Sequence, residues 1–181
     1  MNEKIIIASD IHGSAFWCKK LIELFEKENA QTLLLLGDLL YHGPRNPLPD
    51  GYAPMEVANM LNAIKDKLIC VRGNCDSEVD QMVLDFPMRA DSGMVLWNGK
   101  RVHATHGHLF SADNPPPMSK GDLLVNGHFH EPKLTALENG GIYANCGSVA
   151  LPKANTPHSC IVFDGETLIW KDLATGETFE P

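Results

Sequence analysis

Three short apolar runs in the first half of the chain, separated by two helical patterns, most constrain the fold. The runs are Lys4–Ala8, Thr32–Leu36 and Leu68–Val71, and such short apolar runs are typical of strands buried on both faces. Between them, apolar residues recur at helical spacing over Ser14–Glu28 and Pro54–Asp66, where Ser and Pro are favoured at a helix start. Alternating strands and helices favour parallel pairing with right-handed crossovers.

The second half consists of shorter strand candidates separated by turn signals. The dipeptides Asn98-Gly99, Asn139-Gly140 and Asp164-Gly165 favour tight hairpins. We expect an α/β protein in which two sheets pack together with helices outside, because this arrangement buries the apolar runs. The strand candidates are Met94–Trp97, Arg101–Thr105, Leu123–Asn126, Leu134–Glu138, Ile142–Ala144, Cys160–Asp164 and Thr167–Asp172.

Length and charge limit the function classes. The chain has 181 residues, so one domain spanning residues 1–181 is expected. It has 15 basic and 23 acidic residues, a net charge of −8. This balance, with no basic run, argues against extended nucleic-acid binding. A phosphate substrate is still compatible with it, because bound metal ions can supply positive charge.

Cysteine usage and hydropathy indicate the compartment. The five cysteines are scattered along the chain and form no disulfide framework, which favours a reduced, cytoplasmic location. The first residues, from Met1, lead directly into the first strand signal, so we expect no cleavable signal. No apolar run approaches the ~18 residues that a membrane helix requires, so we expect no membrane association.

Seven polar residues follow the apolar runs directly. Since ligands gather at the carboxyl ends of strands in open α/β sheets, we expect these side chains to meet at one edge. Asp10 and His12 are two residues apart, as are His128 and His130, and side chains at this spacing in extended backbone point to the same side. The seven residues are Asp10, His12, Asp38, Asn74, His106, His128 and His130.

The types of these residues point to metal ions. Imidazole, carboxylate and amide groups suit Mn, Fe, Co, Ni or Zn better than calcium. Asp38 is a natural bridge between two ions because its two oxygens can each bind one. Asn74 offers a neutral oxygen that leaves the site positive for an anionic substrate. Each pattern alone is common in ordinary turns; together, in this order and each at a strand end, they predict a metal site.

The ordered set of motifs resembles the calcineurin-like metallophosphoesterase superfamily. The resemblance extends from residue 10 to about residue 150 and implies a four-layer α-β-β-α sandwich of two mixed sheets flanked by helices. The motifs that carry it are Asp10-x-His12, Gly37-Asp38, Gly73-Asn74-x-Asp76, His106 and Gly127-His128-x-His130.

The resemblance also implies a metal-dependent phosphodiesterase with two ions, most often Mn²⁺, although Zn, Fe, Co or Ni would fit the ligands. A bridging hydroxide would attack the phosphorus of a small-molecule substrate of aryl or nucleotide-like type. The implied first set of ligands is Asp10, His12, Asp38 and His130. The implied second set is Asp38, Asn74, His106 and His128.

Four further residues are candidates near this site. Many family members have His after the Gly-Asn pair, where it helps the leaving group depart, but this chain has Cys75, a poor substitute for an imidazole; a small packing residue is the alternative. His108 could replace the missing imidazole, or be a loop residue. Arg45 could clamp a phosphate oxygen, or lie free on the surface. Asp76 could orient a histidine, or cap a helix.

A non-catalytic function is the main alternative. Some relatives of this fold act as scaffolds or interaction modules, and they typically lack part of the ligand set, whereas this chain has all seven residues. The sequence leaves the oligomeric state open, and a homodimer or higher homo-oligomer is compatible with its apolar second half.

Overall fold

The computed structural model describes residues 3–181. Met1 and Asn2, which belong to the stretch where no cleavable signal is expected, lie outside these residues. Within these described residues there are two α-helices and eleven strands, with short 3₁₀ turns at Lys65–Lys67 and Asp80–Met82. The elements are β1 (Ile5–Ala8), α1 (Ala15–Lys27), β2 (Thr32–Leu35), α2 (Pro54–Ala63), β3 (Leu68–Cys70), β4 (Ser92–Trp97), β5 (Lys100–Thr105), β6 (Leu123–Asn126), β7 (Pro132–Ala136), β8 (Ile142–Cys146), β9 (Ser159–Phe163), β10 (Leu168–Asp172) and β11 (Thr178–Phe179).

The strands form two mixed sheets. The six-stranded sheet has the order β11-β10-β9-β1-β2-β3, and the five-stranded sheet has the order β4-β5-β6-β8-β7. β1, β2 and β3 pair in parallel, which confirms the expectation from the alternating strands and helices. β5, β6 and β8 are also parallel to one another. Each sheet therefore brings the carboxyl ends of several strands to one edge.

Residues on β1 alternate between two cores. Ile5 and Ile7 face the five-stranded sheet and pack against residues such as Val125, whereas Ile6 and Ala8 face the helices. All four β1 residues are fully buried, because this strand has an apolar layer on each face. The alternation explains why β1 is a continuous apolar run in the sequence.

Both helices pack on the six-stranded sheet, where α1 and α2 contribute to one apolar cluster with it. The two-sheet sandwich flanked by helices is confirmed, but in the part of the chain the structure describes no helix covers the outer face of the five-stranded sheet. The segment 107–121 lies there instead, where Ala112 and Met118 pack against Leu124 and Tyr143. Its Pro115–Pro117 run explains the absence of a helix, because proline disrupts a helix interior.

Local signals fixed most element boundaries. The Ser14 hydroxyl accepts a hydrogen bond from the Trp17 N–H at 3.2 Å and caps α1. Asn98 and Gly99 have φ angles of 45° and 80°, as a tight turn between antiparallel strands requires. The structure corrects the end of α2, which stops at Ala63 before a 3₁₀ turn.

No helix within residues 3–181 is long and apolar enough to cross a membrane. The single domain 1–181 stays a prediction.

Candidate metal centre

The seven polar residues that follow the strands lie together at one edge of the sandwich. Asp10 and His12 follow β1, Asp38 follows β2, and Asn74 follows β3. From the other sheet, His106 follows β5, and His128 and His130 follow β6. The turns are tied to one another, since the Asp10 and His12 N–H groups donate to the carbonyls of Gly37 and Asp38. The convergence expected from the strand ends is therefore present in the folded chain.

Asp10, His12 and His130 form a buried group at the base of the centre. Asp10 Oδ1 lies 3.4 Å from His12 Nε2 and 3.1 Å from His130 Nε2. The two imidazole Nε2 atoms are 3.4 Å apart. The exposed fractions of the three residues are only 0–4%. We call these three residues the inner group; their geometry would allow them to share a cation.

A second set of side chains lies further out. Asp38 is between the two sets, with Oδ2 3.7 Å from His12 Nε2 and 3.4 Å from His106 Nε2. The Oδ1 atom of Asn74 is 3.0 Å from His106 Nε2. The ring of His128 is 5.0 Å from that of His106. Asn74 is exposed and His128 half-buried, so we call this pair the outer group.

Backbone carbonyls fix the orientation of three imidazoles. Nδ1 of His12, His106 and His130 donates to the carbonyls of Tyr41, Leu36 and Leu151, respectively. A carbonyl can only accept, so each Nδ1 carries the proton. In the neutral ring, Nε2 then presents its lone pair to the centre, which is the arrangement of a metal-binding histidine.

The electrostatics of the centre favour positive charge. Burial opposes ionisation of His106, but the Asp38 and Asp10 carboxylates outweigh it and raise its pKa to about 9. Burial likewise opposes ionisation of Asp10, yet nearby imidazoles hold its pKa well below the ordinary value. Burial and the adjacent His106 charge lower the pKa of His128 to about 4, so this ring is neutral and available as a ligand.

The donor set fits divalent metal ions. Asp10 Oδ1 is buried and has no hydrogen-bond partner among the described residues, a costly state for a carboxylate oxygen. The lone pairs of His12 and His130 face the same point. A cation among them would satisfy all three atoms, and mixed imidazole and carboxylate donors are typical of Mn, Fe, Co, Ni and Zn sites.

Five of the seven residues have left-handed backbone, which is uncommon outside glycine. Asp, Asn and His adopt this region several times more often than most other residues, so the residue types that bind metals also suit these turns. The expectation of extended backbone at the pairs Asp10/His12 and His128/His130 is wrong, although the side chains of both pairs lie at the centre. The five φ angles are 62° for Asp10, 47° for His12, 54° for Asp38, 62° for His128 and 63° for His130.

Glycines precede Asp38 and Asn74 because the ends of β2 and β3 nearly touch. A Cβ on Gly37 would overlap the backbone of Gly73, and a Cβ on Gly73 would overlap the Asp38 carboxylate. The Gly-Asp and Gly-Asn pairs are therefore more than turn signals: they allow two neighbouring strand ends to approach each other. This approach brings Asn74 to the same centre as Asp38.

Asp76 has a function that the sequence did not indicate. Its Oδ2 accepts hydrogen bonds from the N–H groups of Asp38 and Gly73 at 2.8 and 2.7 Å, and its Oδ1 accepts from Leu39 at 2.8 Å. The expectation that it orients a histidine or caps a helix is wrong, because backbone N–H groups take both oxygens. Burial, partly offset by these bonds, raises its pKa to about 6. Asp76 thus joins the two turns that present Asp38 and Asn74.

Cys75 lies beside Asp38. Its N–H donates to Asp38 Oδ1 at 2.8 Å, and its sulfur accepts from Asn74 Nδ2 at 3.3 Å. Burial and the nearby carboxylates raise the pKa of this thiol to about 12. The side chain is therefore a neutral thiol near neutral pH and a poor nucleophile.

Arg45 and His108 differ in their relation to the centre. Arg45 is exposed and lines the cavity above it. The ring of His108 is 5.4 Å from that of His106 and 6.1 Å from that of His128. Its Nδ1 is buried without a partner among residues 3–181, and burial and the His106 charge lower its pKa. His108 is thus near the centre but does not line the cavity.

An open cavity of about 560 Å³ lies over the centre, a size typical of small-ligand sites. Sequence reasoning missed several of its wall residues: Tyr41, Phe129, Glu131 and Lys153. Tyr41 and Phe129 lie in loops that also carry candidate ligands, but this position alone does not predict their exposure. The other two follow β6 and β8 in loops without a distinctive pattern.

Comparisons with known proteins agree with this geometry. The family model of the calcineurin-like phosphoesterase superfamily domain matches residues 4–168. The phosphodiesterase YfcE of Escherichia coli strain K12 is 49% identical over 166 residues, which cover 91% of this chain and 89% of that protein. The structure of the E. coli phosphoesterase YfcE aligns with a TM-score of 0.94 at 45% identity, covering 98% of this chain and 97% of that one.

A more distant likeness concerns the fold alone. Vps29 of Entamoeba histolytica, solved in complex with zinc, has a TM-score of 0.63 at 16% identity, with 97% of this chain and 96% of that chain covered. The two closer matches confirm the family expected from the motifs and the expectation that the chain is a phosphoesterase. The chain belongs to the calcineurin-like phosphoesterase superfamily.

Proposed function

We propose that this protein is a metal-dependent phosphodiesterase with a dinuclear centre, acting on small-molecule substrates of aryl or nucleotide-like type. The observation that carries the proposal is the convergence of seven oxygen and nitrogen donors, from five strand ends, beneath an open cavity of about 560 Å³. The acidic net charge of −8 favours a small substrate over a long nucleic acid.

The two sets of ligands share Asp38. Its Oδ2 is within 3.7 Å of His12 Nε2 and 3.4 Å of His106 Nε2, so this carboxylate can belong to both sites. When bound, two divalent ions would generate a nucleophile from water and neutralise charge on the phosphoryl oxygens. The first site would comprise Asp10, His12, Asp38 and His130, and the second Asp38, Asn74, His106 and His128.

We propose manganese as the ion, with zinc, iron, cobalt or nickel as alternatives. The ligand types fit all of these ions, and availability in the cell also determines which one binds. The outer group supports a hard ion because it contributes an amide oxygen from Asn74. The inner group, with two imidazoles, is equally suited to zinc.

Residues around the donors would bind and orient the substrate. Arg45 lines the cavity as an exposed cation and would bind a phosphoryl oxygen. The Asn74 amide would donate to another oxygen if its own oxygen holds an ion. His108 does not line the cavity, so it would transfer a proton to the leaving group through an intervening water. Cys75 lines the cavity and would contact the substrate as a neutral thiol.

Metal removal and restoration test the proposal. Protein treated with a chelator should not hydrolyse bis(p-nitrophenyl) phosphate, and manganese should restore turnover, measured as release of p-nitrophenolate. The variant Asp38→Ala should lack both activity and bound metal, because it loses the shared ligand. Turnover that survives chelation would contradict the proposal, whereas a metal-loaded protein that cleaves no phosphoester would favour a non-catalytic scaffold.

A further inference from the structure

Two aromatic side chains line the cavity and are unusually exposed. Tyr41 is 42% exposed and Phe129 is 44% exposed, and both belong to the wall over the candidate metal centre. A single exposed apolar residue needs no explanation. Two aromatic rings on the wall of one cavity are more specific, because ligand pockets are characteristically lined by such side chains.

Both aromatic residues are tied to candidate metal ligands, Tyr41 through its backbone and Phe129 through its ring. The Tyr41 carbonyl accepts the His12 Nδ1 hydrogen bond at 2.8 Å, so its backbone is fixed to the inner group. Phe129 lies between His128 and His130 in sequence, and its ring is 5.2 Å from that of His128. The two aromatic residues come from opposite sheets, after β2 and after β6.

The same wall carries positive charge. Arg45 and Lys153 are exposed and line the cavity with the two rings, and they outnumber the one exposed acidic residue that the described residues contribute to this wall, Glu131. Cations alone would be sufficient to bind a phosphate group. Aromatic faces next to cations match a different ligand, in which a phosphate is attached to a planar apolar group.

The reaction geometry places such a group against the wall. In phosphoryl transfer, the attacking and leaving oxygens lie roughly in line. The leaving group therefore points away from the metal-binding base of the site, toward the open mouth. The ester group that is retained lies to the side, where the cavity wall is.

We propose that Tyr41 and Phe129 form a specificity subsite for a planar aromatic group, such as a nucleobase, on the retained side of a phosphodiester. This inference rests on the proposed function and specifies its substrate class. In the reaction, a water oxygen forms a bond to phosphorus and gives up a proton, the bond to the leaving oxygen breaks, and that oxygen departs with the electron pair. The released proton passes to an alkoxide leaving group or, when the leaving group is p-nitrophenolate, to solvent. The phosphomonoester product keeps its aromatic group and the subsite contacts.

Two substrates with the same leaving group test this subsite. Thymidine 5′-(p-nitrophenyl phosphate) and ethyl p-nitrophenyl phosphate both release p-nitrophenolate, so they differ only in the retained group. The protein should have a kcat/KM about five- to 150-fold higher for the thymidine ester, which is the range that stacking of one base on an aromatic side chain provides elsewhere. Phe129→Ala and Tyr41→Ala should lower kcat/KM for the thymidine ester several times more than kcat/KM for the ethyl ester, so that most of the preference is lost.

Further variants separate stacking from folding. Phe129→Leu keeps an apolar side chain between His128 and His130 and should still lose much of the preference, because it lacks a flat ring. Phe16→Ala is the matched control: Phe16 is 50% exposed on α1 and does not line this cavity, so the preference should stay unchanged. Metal content should equal that of the parent protein in every variant.

Equal kcat/KM for the two esters, or an equal fall for both in the variants, would overturn the subsite while leaving the phosphodiesterase proposal intact. If neither ester is cleaved, the proposed function fails, and product binding decides the subsite independently. Calorimetry should then detect thymidine 5′-monophosphate binding that Phe129→Ala weakens, with weaker binding of ethyl phosphate. Equal binding of the two products would reject the subsite.

Discussion

The inner and outer groups of the candidate metal centre differ in how the fold supports them. Asp10, His12 and His130 are buried, with exposed fractions of 0–4%, and two of their Nδ1 atoms donate to backbone carbonyls. Asn74 is exposed and His128 half-buried, and neither ring nitrogen of His128 has a hydrogen-bond partner in the described residues. The inner group is therefore preorganised by the core. In the outer group, Asn74 is held by contacts within the site, with His106 and Cys75, and His128 is positioned by its turn.

Removing one histidine from each group should give the largest difference in activity and bound metal between the inner and outer groups. His130→Ala should release the inner ion and lower the rate by at least ~100-fold, because ligand loss should exceed the 10–100-fold cost of altering a supporting residue. His128→Ala should cause a smaller loss of activity and retain the inner ion. Elemental analysis of the purified variants measures the bound metal. Loss of both ions from His128→Ala would show that the groups do not bind independently.

Replacing Asp76 should affect the outer group next most strongly. In Asp76→Asn, an amide NH₂ replaces one of the oxygens that accept the N–H groups of Asp38, Leu39 and Gly73. The turns should then shift, with a loss of roughly 10–100-fold in metal affinity or kcat. Metal titration and kinetics well below the melting temperature separate this effect from unfolding.

Asp80→Asn is the matched control for Asp76→Asn. Asp80 Oδ2 accepts the Ser77 N–H at 2.7 Å, so the change also replaces an acceptor in the same segment, but away from the two ligand turns. Metal affinity should stay near that of the parent protein. An equal loss of metal affinity in both variants would indicate general loosening of the segment and not a specific effect of Asp76.

His108→Ala should have the smallest effect on an activated ester. This variant extends the comparison of the two groups to the step in which the leaving group departs. With a p-nitrophenyl ester, the rate should change less than about twofold, because this leaving group needs no proton. With an alkyl leaving group, the rate should fall by roughly 100-fold if His108 supplies the proton. Parallel assays of the two substrate types measure the difference. An equal effect on both would remove His108 from proton transfer.

The parallel pairing of β1, β2 and β3 and the convergence of the seven candidate ligands could be predicted from the sequence, because strand ends are readable from local patterns. Asp38 and Asn74 follow apolar runs directly, and parallel strands bring such positions to one edge. The function of Asp76 could not be predicted in this way, since it depends on three backbone N–H groups from two turns. Only the close approach of Gly37 to Gly73 makes these groups neighbours.

Other features depended on tertiary context. The exposure of Tyr41 and Phe129 follows from the shape of the cavity, and an aromatic residue in a loop is more often buried by its own segment. β11 has two residues, too few to show an alternating pattern. The segment 107–121 covers the outer face of the five-stranded sheet in place of a helix; its prolines were visible in the sequence, but its packing position was not.

The left-handed turns have a consequence for how the protein tolerates change. Each such non-glycine residue destabilises the folded chain by about 1 kcal/mol or more, and five of them lie at the rim of the sandwich. A typical domain has only about 5–15 kcal/mol of net stability, so the strain at the rim uses a substantial share of the margin. Mutational tolerance should therefore be low in the two buried layers around β1, far from any substrate, since those layers keep the strained rim in place.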